Sequence, residues 1–340
     1  MEILQHILLF FSQALIIVVS VIAVLITIAT LVAKAKAQKS FDIELLHEKY
    51  EDQTQALKQA LLNESELKAE KKRLKKEEKQ KKAEDEKSKN KVFVVDFLKG
   101  DIKASDADHL REEVSTILGV ASAQDEVVVR VESPGGLVHG YGFAAAQLLR
   151  FRQANIPLTI CIDKVAASGG YLMACTANKV ISAPFALVGS IGVVAQVPNF
   201  NRLLKKHDVD YKEYTAGEFK RTVSLFGEIT PQGEAKFKEQ LEETHVLFKS
   251  FVSEYRPQMD IAKVATGEFW YGENAIKLGL VDEIRTSDDY LLSKVKTHQI
   301  IKVSFEPKPT LSDKLSGVLS KALTQVLAKL VEQNSIAKKI

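Results

Sequence analysis

Apolar and polar positions divide this chain into four stretches of different character. Between Glu2 and Lys34 there is no Lys, Arg, Asp or Glu, and Ile16 to Leu31 is almost wholly Ile, Val, Leu and Ala. About 20 apolar residues cross a bilayer as a helix, so residues 1–33 are expected to form a membrane anchor. A cleaved signal peptide is the alternative, and Ala35-Lys36-Ala37 would suit its cleavage site. No basic residue precedes the apolar run, however, and the run is too long for the core of a signal peptide. Residues 34–91 then contain no Pro or Gly, and leucines recur at loose helical spacing from Leu45 to Leu74. This pattern predicts a solvated helix or coiled coil thinning into a charged linker.

From Val92 the pattern changes to short β-branched runs alternating with helical stretches. Strands are expected at Val92–Leu98, Val127–Val131, Leu158–Ile162 and Val180–Ala183. Helices are expected at Ala107–Leu118, Tyr141–Phe151 and onward from Ser168-Gly169-Gly170. Such alternation indicates an α/β fold with a largely parallel sheet over residues 92–305. Ile181 to Val197 is apolar enough to resemble a second membrane span, but Pro184, Gly189, Gly192 and Pro198 favour strand, turn and strand. Pro231 to Tyr255 reads as the longest soluble helix. Residues 306–340 carry apolar positions every three to four residues from Leu311 to Val331, with Lys314, Lys321 and Lys329 between them. That amphipathic helix is expected to pack on a second copy of the chain, with a membrane surface as the alternative.

Charge sharpens this division. The 340 residues carry 47 Lys/Arg and 44 Asp/Glu, of which 17 and 13 fall in residues 34–91. The remaining body is neutral and offers no footprint for a phosphate backbone, so nucleic acid is excluded as a partner. The basic linker could instead meet lipid headgroups. Lys34, Lys36 and Lys39 flank the apolar segment on one side only. The positive-inside rule then places the rest of the chain in the cytoplasm behind a single membrane span. The two cysteines, Cys161 and Cys175, lie in apolar runs without metal-ligand spacing. No metal and no cofactor are expected.

Candidate chemistry gathers at glycine-rich turns between strands and helices, where α/β sheets bind ligands. In Ser133-Pro134-Gly135-Gly136 the glycines allow backbone amides to approach a substrate and stabilise an oxyanion. In Ala166-Ala167-Ser168-Gly169-Gly170-Tyr171 a serine opens a helix among small residues. Ser168 is either a nucleophile with an open hydroxyl or simply the helix N-cap. Of the seven histidines only His139 lies near either turn, so no Ser-His-Asp set emerges. Lys220 sits in a breaker-containing segment, Thr215 to Arg221, but spacing does not single it out.

The two turns, with Gly189-Ser190-Ile191-Gly192-Val193, Ala216-Gly217-Glu218-Phe219-Lys220 and Gly272-Glu273-Asn274-Ala275 before Gly279-Leu280-Val281-Asp282, resemble the signal peptide peptidase A/SohB family of serine peptidases. The motifs stand in the family's order over roughly residues 92–285. The resemblance implies a Clp/crotonase-like fold and a Ser-Lys dyad. Ser168 would be the nucleophile and Lys220 the general base. Gly169 and the Gly135–Gly136 turn would supply the oxyanion hole, and Ser190 would orient the lysine. Together with the apolar anchor and the stripe at Leu311–Val331, it points to a membrane-anchored, homo-oligomeric endopeptidase of a bacterial inner membrane that cleaves peptides through an acyl-enzyme, and it also allows a periplasmic site of action. A non-catalytic membrane scaffold and a crotonase-like acyl-CoA enzyme are the alternatives. Arg221 departs from the acidic residue that often follows the family's lysine. A lysine must be desolvated to act as a base near neutral pH, and Phe219 with Val188–Val194 are the expected dry wall.

Overall fold

The computed structural model describes residues 39–63, 65–70, 72–73 and 90–307. The expected anchor at 1–33 and the amphipathic segment beyond 307 lie outside these. Among the described residues no helix is long and apolar enough to cross a membrane. The chain forms two compact units, one of residues 43–304 and one joining both ends. Of the second, only 39–42 and 305–307 are described; there the rings of Phe41 and Phe305 lie 4.9 Å apart.

The larger unit begins well before residue 92. A strand, β1 (Lys39–Leu45), runs directly into helix α1 (Leu46–Leu61), where the leucine spacing predicted helix throughout. Leu46 is buried in a cluster with Val92, Val94, Val128 and Ile300, and Tyr50 packs against the same cluster. The Ile300 N–H also donates to His47 Nδ1 at 3.2 Å. The start of the charged segment is therefore part of the folded body. The sequence pattern hid this because only one turn of α1 contacts the sheet.

The main sheet runs in the order β10 (Gln299–Pro307), β2 (Lys91–Phe97), β3 (Glu126–Val131), β4 (Leu158–Ile162), β6 (Lys179–Ser182) and β9 (Glu283–Ile284). Every pairing in that series is parallel. A parallel sheet covered on both faces needs apolar side chains at consecutive positions, which explains the runs of valine. The period-two alternation sorts them. Phe93, Val95, Phe97, Val127, Val129, Leu158 and Ile160 face helices α2 (Ala107–Leu118) and α3 (Val138–Gln153), meeting Leu110, Val114, Leu148 and Phe151. Val92, Val94, Val128 and Cys161 face the other way, toward Leu46 and Leu291 of α9 (Ser287–Lys294).

Between main-sheet strands and the helices that follow, the chain pairs a second time. β5 (Val165–Ala167), β7 (Leu187–Gly189) and β8 (Phe269–Tyr271) make a small second sheet, and Ser133 forms an isolated parallel bridge to Ala166 at its edge. The apolar stretch from Ile181 is thus β6, a turn and β7, followed by the irregular segment 190–200. This second sheet is the layer in which the glycine-rich turns meet.

Replacing Leu46 by Ala tests the early start of the body. The deletion of a buried leucine costs about 2–5 kcal/mol, read as a lowered melting temperature of the globular unit. An unchanged melting temperature would make α1 an appendage.

Candidate active site

Three consecutive turns are stitched side by side by backbone hydrogen bonds. Ser133 N donates to Val165 O at 2.9 Å, and Ala167 N donates to Ser133 O at 3.0 Å. Ser168 N donates to Gly189 O at 2.8 Å, and Ser190 N donates to Glu268 O at 2.7 Å. Ser133-Pro134-Gly135-Gly136, Ala167-Ser168-Gly169 and Gly189-Ser190 therefore lie in neighbouring rows of one small sheet. Successive motifs begin 34 and 22 residues apart in sequence, and the second sheet brings them together.

Ser168 occupies the corner between β5 and helix α4 (Gly169–Ala174), with φ 51° and ψ −117°. A non-glycine residue held there is strained, and such corners hold a side chain out from the fold. The N-cap alternative is not what the structure shows, because the Ser168 side chain makes no capping hydrogen bond. Ser190 is also held at positive φ, 53°. Its hydroxyl has no hydrogen-bond link to Lys220 among the described residues.

Packing around Ser168 leaves no room for side chains on the glycines. A Cβ on Gly135, which sits at φ +91°, would fall 2.7 Å from both Gly169 N and Ser168 Cβ. A Cβ on Gly169 would lie 2.3 Å from Cγ of Tyr141, and one on Gly136 would lie 2.1 Å from Ile102 O. The three proposed oxyanion amides are not equivalent. Gly135 N donates to Ser133 Oγ at 3.1 Å, which removes it from the set. The amides of Gly136 and Gly169 have no hydrogen-bond partner among the described residues. Gly135 thus serves the close approach of the two turns, and Gly136 and Gly169 present the donors.

Beside Ser168 opens a cavity of ≈ 310 Å³ that also touches Gly136 and Gly169. Its walls include Tyr141, Leu172 and Val193, and one side comes from α6 (Pro231–Tyr255) through Thr244, Leu247, Phe248 and Phe251. In the sequence these residues read only as part of the long helix Pro231–Tyr255. Nothing local tells which part of a long amphipathic helix passes a site. The helix is set at both ends. Thr230 Oγ1 accepts from Gly233 N at 3.1 Å, with Pro231 in the first turn. Beyond the last turn, buried Arg256 donates to Asp282 at 2.7 and 2.8 Å and to Gly279 O at 2.8 Å.

Lys220 is placed differently from Ser168. It is exposed, in the loop between α5 (Asn201–Lys206) and α6. That loop docks on the first turns of α6. Glu218 Oε1 accepts from Gln232 Nε2 at 2.9 Å, and the Phe219 ring stacks under Lys236 Nζ at 5.7 Å. A Cβ on Gly233 would lie 2.4 Å from Thr222 O. From Lys236, which the loop reaches through Phe219, to Thr244, the first cavity residue of this helix, is about 12 Å of helix at 1.5 Å per residue, and Lys220 is not part of the cavity lining. Within one chain the structure thus does not bring Lys220 to Ser168, and the expected dry wall is absent. Phe219 is itself engaged with Lys236. Arg221 pairs with Glu213 at 3.1 Å instead of facing the lysine. His139 is exposed on the first turn of α3. Both cysteines are unpaired and buried, and burial pushes both thiols well up, so neither competes as a nucleophile. Among the described residues no cluster of His, Cys, Asp and Glu suits a metal ion.

Replacing Gly135 by Ala tests the close approach. A Cβ forced against Ser168 and Gly169 at positive φ should displace the turn and lower peptide cleavage on the order of 100-fold. Wild-type cleavage by a folded Gly135→Ala protein would show that the two turns need not touch.

Known proteins share this chain's sequence along most of its length. It matches the family Peptidase family S49 N-terminal over residues 2–148 and Peptidase family S49 over residues 150–300. "Probable protease SohB" of Haemophilus influenzae is 52% identical over 305 residues, 86% of this chain and 86% of that protein. A "Probable protease SohB" of Buchnera aphidicola is 51% identical over 271 residues, 77% of this chain and 78% of the other. Among solved structures, the membrane-bound stomatin-specific protease 1510-N in complex with a substrate peptide is 15% identical, with TM-score 0.42, covering 68% of this chain and 99% of that one. With half of its residues shared with these relatives, the chain belongs to peptidase family S49 and is a serine peptidase.

Proposed function

We propose that this chain is a membrane-anchored endopeptidase in which Ser168 is the nucleophile and Lys220 the general base. The observation that carries the reading is Ser168 itself, strained at a strand-to-helix corner, uncapped, and open to an apolar cavity beside two unpartnered amides. The succession of main-sheet strand, second-sheet strand and helix suits the Clp/crotonase-like fold that the motifs imply.

In this mechanism an apolar substrate side chain fills the cavity against Leu172, Leu247 and Phe248, and the scissile carbonyl oxygen turns toward Gly136 and Gly169. Ser168 Oγ attacks the carbonyl carbon as its proton passes to Lys220 Nζ. The amides stabilise the oxyanion as it forms. The tetrahedral species collapses to an acyl-enzyme, and the leaving amine takes the proton back from the lysine. Water, deprotonated by the Lys220 amine, then attacks the acyl carbon; the bond to Ser168 Oγ breaks, and the serine oxygen takes the proton from the lysine. Ser190 is placed in this reading to orient the lysine.

The distance between the Lys220 loop and the cavity makes assembly part of the proposal. In a homo-oligomer, Lys220 of one copy approaches Ser168 of the next, and the contact desolvates the ammonium that one chain leaves exposed. Residues 1–33 hold the assembly at a bacterial inner membrane, and residues 311–331 add contacts between copies. The lysines after the apolar segment favour a cytoplasmic catalytic body.

Ser168→Ala and Lys220→Met should each reduce peptide turnover by about 10³–10⁶ with unchanged melting. A fluorophosphonate probe should label wild type at Ser168. Retention of a tenth of the activity in either folded variant would remove that residue from the mechanism. The rate should climb with pH, because only the free amine accepts the proton; a histidine base would place the ascending limb near pH 6–7 instead. Mixing the two inactive variants should restore activity, since each copy supplies what its neighbour lacks. A mixture that stays inactive would confine the dyad to a single chain.

A further inference from the structure

Beneath the oxyanion turn lies a buried chain of hydroxyl groups that the reaction does not use directly. Ser133 and Tyr141 are both fully buried. The Tyr141 hydroxyl lies 2.7 Å from Asp101 O, a carbonyl, so it must donate there. It also lies 2.5 Å from Ser133 Oγ. With its one hydrogen committed to Asp101, the tyrosine accepts, and the serine hydroxyl donates. Ser133 Oγ in turn accepts from Gly135 N at 3.1 Å. The direction of every bond in this series follows from counting donors: Gly135 amide to Ser133, Ser133 to Tyr141, Tyr141 to the Asp101 carbonyl.

The series ends on a loop that grips the same turn elsewhere. Gly100 N donates to Glu132 O at 3.2 Å, and Leu137 N donates to Ile102 O at 2.7 Å. A Cβ on Gly100 would fall 2.3 Å from Ser133 Cβ. The residues after β2 therefore clasp the turn on both sides of Pro134, and Tyr141 closes the clasp between them.

We propose that Tyr141, acting with Ser133, is a positioning residue that sets both donors of the oxyanion hole. Its hydroxyl holds Ser133, which draws the Gly135 amide inward and leaves the next amide, on Gly136, for the anion. Its ring supports the other donor, because it packs so tightly on Gly169 that no side chain fits between them. One side chain thus fixes the separation of two amides that come from different turns. The inference rests on the reading of Ser168 and its amides given above. Burial pushes the Tyr141 hydroxyl up from its ordinary value, which favours the protonated form that donates to Asp101.

Tyr141→Phe keeps the ring against Gly169 and removes only the hydroxyl. Its kcat should fall about tenfold to a hundredfold with KM within twofold, because only the developing anion senses the amide's position. Affinity for a peptide aldehyde, which forms a tetrahedral adduct, should fall by the same factor. Peptide binding measured in a Ser168→Ala background should not change, and neither should the pH at which the rate rises. Ser133→Ala, which retains the Cβ beside Gly100, should reproduce these effects and serves alone if the tyrosine variant does not fold. The double variant should be no slower than the worse single one. Wild-type kcat in both variants, a parallel loss of peptide binding, or multiplying losses in the double variant would overturn the positioning role. Should Ser168 be labelled by fluorophosphonate while Tyr141→Phe stays fully active, this inference alone falls; absence of labelling in wild type removes the underlying reading as well.

Discussion

The close contact of the Ser133–Gly136 turn with the Ser168–Gly169 corner is the constraint on which the rest of the site depends. Backbone bonds between Ser133, Val165 and Ala167 bring the two segments into neighbouring rows of one sheet. At that spacing a single methyl group on Gly135, Gly136 or Gly169 would overlap backbone or ring atoms. Glycine is present because the two segments approach at van der Waals distance, and in the proposed mechanism that approach brings two amides to one point. The strain at Ser168 belongs to the same arrangement. Its carbonyl starts α4 by accepting from Leu172 N at 2.9 Å, while its amide is tied to Gly189. Held from both sides, the corner stays in an otherwise unfavourable conformation.

The main sheet supplies the rigidity behind that contact. Its central strands are buried on both faces, and α4 follows directly from the corner into the core. Tyr171, one turn beyond Ser168, is fully buried and donates to Leu280 O at 2.9 Å. Arg256 and Asp282 lock the far end of α6 to the same region. The cavity wall formed by Leu247, Phe248 and Phe251 is thereby referenced to the segment that carries the corner. Wall and serine corner cannot shift independently without disturbing the pair between buried Arg256 and Asp282, which is costly because it strands a guanidinium charge.

What could be read from the sequence is what is local. The valine runs of β2 and β3, the helix at Ala107–Leu118 and the helix at Pro231–Tyr255 follow from periodicity and from proline at a first turn. The turns are visible because glycine, proline and serine punctuate the ends of strands. What was not readable depends on contacts across the fold. Gly135 looks like an anion donor until the Ser133 hydroxyl is seen to take its amide. Tyr141 looks like one more apolar helix position, and Leu46 like one of many linker leucines. Lys220 is the clearest instance. Whether a lysine is dry is decided by what packs on it, and in this chain Glu218, Phe219 and Thr222 dock the loop on α6 with the lysine itself in solvent.

This asymmetry between the two halves of the proposed dyad has a physical logic. The anion side must be stiff, because amide donors lose most of their effect when misplaced by a fraction of an ångström. It is accordingly built from buried strands, glycines and a directed hydroxyl series within one chain. The base side must exclude water when it works, since an ammonium in solvent holds its proton. In the proposed assembly, a loop exposed on one chain and covered by the next links the two demands. On that reading the serine corner is formed in every chain but gains its base only when the lysine of a neighbouring copy is enclosed beside it. Proteolytic capacity would then follow the association of copies rather than the folding of each one.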